Sequence, residues 1–161
     1  MLQRLLLIVA LGMMVAAPAL AGRVYNQFRQ PGFRFPSELG LGGNVPLVTA
    51  GPIFDGLSAE EFASRVRVPG GFPRTRFVPA EDPNDTRGVR LVFAFGRASP
   101  ASLCNVPPVG GGANGVVSVS HCIGELEVTR ATLARGSNLD RDLSQLMHQL
   151  FSLRDRRRNR L

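Results

Sequence analysis

The chain has 161 residues and a formal net charge of +7, and its 19 basic residues are all arginine. Arginine is scattered through every segment, the pattern of a GC-rich coding sequence, so its exclusive use does not by itself indicate a phosphate- or carboxylate-binding surface. Two cysteines are too few for a zinc site, which needs three or four ligands at set spacings.

The first 21 residues read as a signal peptide. Arg4 precedes an apolar run from Leu5 to Ala17, and Ala19-Leu20-Ala21 offers the small-x-small pattern of a cleavage site. A run of that length rises about 20 Å as a helix, short of the ~30 Å hydrocarbon core, so no transmembrane span is expected in the mature form. No cysteine follows the cut and Arg4 stands alone, which disfavours a lipoprotein anchor and a twin-arginine route. The expectation is a mature chain from Gly22, periplasmic or secreted.

Residues 22–56 contain 7 Gly and 4 Pro. That density predicts a Gly/Pro-rich extended arm outside the folded unit. Tyr25, Phe28, Phe33 and Phe35 interleave there with Arg23, Arg29 and Arg34. Leu57–Leu153 is the predicted domain. Ser58 and Glu61 form a capping box, flanked by Leu57 and Phe62 as a hydrophobic staple, and Pro69-Gly70-Gly71 ends the helix. Short strands are expected at Arg74–Val78 and, most strongly, at Gly88–Arg97, where Val89, Leu91, Phe93 and Phe95 share one face. Glu81–Asp85 reads as a turn without the register of a calcium loop.

Val116–Cys122 predicts another strand, with Val117, Val119 and His121 opposite Ser118, Ser120 and Cys122. A turn near Ile123-Gly124 leads into a strand containing Leu126 and Val128. After Ser137-Asn138, Leu143, Leu146, Met147, Leu150 and Phe151 recur at helical spacing. The fold class is therefore α+β: a small antiparallel sheet of three or four strands, two helices packed on one face and one disulfide. Residues 154–161 form an Arg-rich tail.

Cys104 and Cys122 are an even pair in an exported chain, so a disulfide is the default. The alternative is a small envelope thiol enzyme using a free cysteine with His121. Ser120 and His121 are strand neighbours on opposite faces and cannot act as nucleophile and base. Gly110–Gly115 has glycines but no Lys-Ser or Lys-Thr, so it is a connector and not a phosphate cradle. No catalytic residues, metal ligands or cofactors are assigned.

Charge is concentrated at the ends. Residues 22–36 carry three arginines and no acid, residues 154–161 carry five arginines and one acid, and residues 37–153 carry 10 arginines against 11 acids. Arg23, Arg29, Phe33, Arg34, Phe35, Arg154, Arg156, Arg157, Arg158 and Arg160 are the candidate contacts to an anionic envelope component or another envelope protein. The functional expectation is a non-enzymatic interaction or structural protein. A polyanion-binding protein acting through its basic arms is a further alternative.

Overall fold

Ser58 starts the first helix as its sequence demands. Its hydroxyl accepts from the Glu61 amide at 3.1 Å while the Glu61 carboxylate accepts from the Ser58 amide at 3.0 Å. The reciprocal bonds satisfy two orphan donors of helix α1, Ala59–Arg65. This is a computed structural model, which describes residues 23–29, 39–96, 101–105 and 115–152. The predicted signal peptide, Phe33, Arg34, Phe35 and the Arg154–Leu161 tail lie outside the described residues.

The sheet is larger than expected. Six strands, β1 (Arg23–Arg29), β2 (Gly43–Ala50), β3 (Thr75–Pro79), β4 (Val89–Phe95), β5 (Val116–Ile123) and β6 (Leu126–Ala134), lie in the order β1-β6-β5-β4-β2-β3. The sheet is mixed: β1-β6-β5-β4 is antiparallel, whereas β2 runs parallel to both β3 and β4. The expectation of a three- or four-stranded antiparallel sheet is corrected accordingly.

The two added strands come from the segment read as an arm. β1 backs onto β6, with Arg23 opposite Ala134. β2 is interior to the sheet and buries Val45, Leu47 and Val48. Pro46 is tolerated because it lies upstream of the first residue paired on the β4 side, Leu47 opposite Leu91. The folded unit thus begins upstream of Leu57.

Both helices cover one face. Phe62 from α1 meets Phe93 and Phe95 edge-on, with ring centroids 5.0 and 5.2 Å away. Helix α2, Leu139–Leu150, buries Leu143, Leu146, Met147 and Leu150 in the same core as Leu91, Phe93, Phe95, Val117 and Val119. Asn138 caps α2 by accepting from the Arg141 amide at 2.9 Å. Asp142 is buried and accepts from the Gly136 amide at 2.6 Å, which fixes the turn into the helix.

The opposite face carries a second, smaller apolar cluster of Val48, Val92, Ala94, Leu103, Cys104 and Cys122, with Ala80 at its margin. Gly40 holds the chain close to β4: at φ +62 it is in the left-handed region, and a Cβ there would lie 2.4 Å from a Val89 methyl.

Leu146 is fully buried between α2 and the sheet. Leu146→Ala should lower unfolding free energy by about 2–5 kcal/mol in urea denaturation, the usual cost of truncating a buried leucine.

Candidate functional site

Alternation along β5 decides the fate of the thiol–histidine reading. Residues 117, 119 and 121 face the helices, and 118, 120 and 122 face away, so Cys122 and His121 cannot share a site. Cys122 is also consumed: it is bonded to Cys104, with Cα atoms 5.7 Å apart, and no free cysteine exists. The disulfide expectation holds, and the alternative of a free cysteine acting with His121 is overturned by this bond.

The disulfide is one part of a clasp over the face opposite α1 and α2. Arg90, nearly fully buried, donates to the Cys104 carbonyl at 2.6 Å. Arg130 donates to the Ala101 carbonyl at 2.5 Å. The buried Glu127 carboxylate accepts from the Ser120 hydroxyl at 2.5 Å and more distantly, at 3.4 Å, from the Leu103 amide. Its other oxygen lies 3.8 Å from the Arg130 guanidinium. Backbone groups of residues 101, 103 and 104 are thus held by three charged side chains rooted in β4 and β6. Beside them the Ser118 and Thr132 hydroxyls pair across β5 and β6 at 3.1 Å. Most of these groups answer one another, as buried polar atoms tend to; among the described residues Arg90 Nη1 is the clasp atom left without a hydrogen-bond partner.

The helix face contains a less satisfied pair. His121 is fully buried and packs its ring against Phe151, with centroids 5.4 Å apart. Its cross-strand partner is Thr129, where a bulge at His121/Cys122 shifts the β5–β6 register. Among the described residues, neither His121 nitrogen nor the Thr129 hydroxyl finds a hydrogen-bond partner. Burial pushes the imidazole from its ordinary 6.5 down to about 4, opposed by the Leu39 backbone, which lies near without meeting hydrogen-bond geometry. The ring is therefore neutral at pH 7.

Of the candidate anionic-partner contacts, Arg23 and Arg29 lie at the two ends of β1. Phe33, Arg34, Phe35, Arg154, Arg156, Arg157, Arg158 and Arg160 are outside the described residues, so the structure brings none of the set together. Among the described residues no group of three or more His, Cys, Asp or Glu side chains is placed to hold a metal ion. No described helix is long and apolar enough to cross a membrane.

The sequence reading missed a polar groove of about 510 Å³ between the end of α1 and the outer side of α2, where Arg65 and Arg67 face Asp140 and His148. Its two walls are some 75 residues apart in the chain, as the Arg65–Asp140 contact shows, and no local motif links them. Comparison with protein-family models, curated proteins and solved structures returns no match to this chain.

Each face of the sheet generates its own prediction. Cys104→Ser should cost about 2–4 kcal/mol in chemical denaturation, because it removes a cross-link whose partners are 18 residues apart. For His121 the unfolded chain binds a proton that the folded chain refuses. Stability is therefore full above about pH 6.5 and falls as pH drops toward 4. Lowering an imidazole from 6.5 to about 4 corresponds to a total loss of about 3 kcal/mol. His121→Phe should flatten that slope in melts recorded between pH 7 and 4.

Proposed function

We propose that this chain is an exported, non-enzymatic interaction module of the periplasm or extracellular space whose basic ends contact anionic envelope partners. The observation that carries the reading is the Cys104–Cys122 bond, the kind of cross-link that persists in oxidising compartments. The leader-like pattern of residues 1–21 supports the same route. An anionic partner is favoured by charge placement: residues 37–153 are close to neutral while both ends are basic.

The buried charged side chains are occupied in holding the fold. Glu127 and Arg90 clasp the 101–105 segment, Asp142 secures the entry to α2, and His121 is shut inside the core. An interaction module tolerates this arrangement, whereas catalysis calls for polar groups converging on a cavity.

Three measurements test the proposal. N-terminal sequencing of the exported protein should begin at Gly22, and recovery of Met1 from a cytoplasmic pool would sink it. Binding to vesicles containing anionic phospholipid should drop when Arg156, Arg157 and Arg158 are replaced by Ala. It should also weaken steeply with salt, since exposed charges are screened over about 10 Å at 0.1 M. Deleting Gly22–Pro36 is a poor test of the N-terminal arginines, because it also removes β1 from the edge of β6.

A further inference from the structure

The groove beside α2 has a chemistry of its own, separate from the basic ends. Helix α1 stops at Arg65, and Val66 turns the backbone into an extended conformation while its side chain stays in the core. The chain then runs through Val68 and Pro69 and stands off from α2, leaving the space between them open. On the α2 side, Asp140, Ser144 and His148 are spaced four residues apart and so line one stripe of the helix. That stripe is distinct from the buried face made by Leu143, Leu146, Met147 and Leu150.

Two arginines and one carboxylate line the groove, a local positive excess within a near-neutral domain. The Arg65–Asp140 contact is long, at 3.5 Å, and its side chains are 43% and 72% exposed. Charge-assisted pairs of good geometry lie nearer 2.7–2.9 Å, and an exposed pair of this kind contributes little. Asp140 is thus an easily displaced carboxylate, and it marks where a ligand carboxylate would rest on Arg65.

Arg67 donates from Nη1 to the Val66 carbonyl at 2.9 Å. That bond orders the guanidinium beside the groove and uses one of its five donors. Ser144 and His148 add hydrogen-bonding groups to one wall, and Val68 and Pro69 supply apolar surface to the other. At about 510 Å³ the space suits a metabolite-sized molecule and exceeds what a bare ion needs.

We propose that this groove binds a small organic anion bearing two or more carboxylates. One carboxylate replaces Asp140 on Arg65, a second engages Arg67, and the carbon skeleton lies against Val68 and Pro69. Binding is non-covalent and does not use the terminal arginines.

Isothermal titration of the full mature chain with succinate and with citrate, at low ionic strength, tests this. Saturable one-to-one binding is expected. Arg67→Ala should weaken it about tenfold, the loss expected for one charge-assisted contact. Arg67→Lys should recover only part of the loss, because a point charge cannot replace the planar fork. Asp140→Asn should strengthen binding several-fold by removing the competing carboxylate, a gain that a merely structural role for Asp140 would not produce. Replacing Arg156, Arg157 and Arg158 by Ala should leave binding unchanged, which separates the groove from the tail. Arg67 and Asp140 are on the surface, and thermal melts of each variant check that the fold is intact. Absence of saturable binding to both acids overturns the proposal. So does dependence on the tail arginines, an unchanged or weakened affinity in Asp140→Asn, or tighter binding of inorganic phosphate than of citrate.

Discussion

The structure depends on how a sheet whose described helices all lie on one side closes its other face. The helix side is filled by large aromatic and aliphatic groups, but the far side of β4 and β5 presents Val92, Ala94 and Cys122 with no described helix over them. Among the described residues Leu103 and Cys104 supply the cover, and two side chains cannot hold it down by apolar burial alone. The disulfide ties Cys104 to β5 covalently, while Arg90, Arg130 and Glu127 take up carbonyl and amide groups of residues 101, 103 and 104. Each component needs the others. The backbone groups of Leu103 and Cys104 need partners because these residues are buried, and Glu127 and Arg90 are tolerated there because the segment answers them.

The same asymmetry explains why His121 is inert as a base. On the clasp face it would sit among charges and hydroxyls that could stabilise its protonated form. On the helix face it lies against Phe151 and opposite Thr129 with no counter-charge, so burial dominates and the ring stays neutral. A one-residue change in β5 register would exchange these environments. The bulge at His121/Cys122 therefore does more than adjust hydrogen bonds, since it places Val128 and Thr129 together opposite the imidazole.

Local signals made half of this legible from sequence. The capping box at Ser58, the cap at Asn138, the apolar stripe of α2 and the alternation of β4 and β5 each act within a few residues, and each is found in the structure. The bond between Cys104 and Cys122 was legible from their even number. What was lost is non-local. The strand β2 carries Gly43 and Pro46, and its segment is rich in glycine, so composition read as irregular what tertiary pairing makes a strand. Its partners Phe77 and Leu91 lie far along the chain, and a parallel arrangement leaves no hairpin turn to announce it. Arg65 and Asp140 are equally distant in sequence, which is why the groove had no signature.

The distribution of local and distant contacts also orders assembly. The hairpin of β5 and β6 closes through a turn at Gly124, and the β4–β5 pairing is of moderate span. By contrast, β1 must bring Arg23 to Ala134 across most of the chain, and loop closure over such a span is costly before its contacts reward it. The strand nearest the N-terminus is therefore expected to dock last, onto a β6 edge that is already formed. The clasp is late for a different reason, since its covalent member forms only where an oxidant is present. A chain whose first described strand joins last, and whose cover is locked by oxidation, acquires both features late in folding. That order suits the proposed export, because a chain must cross the membrane before it becomes compact.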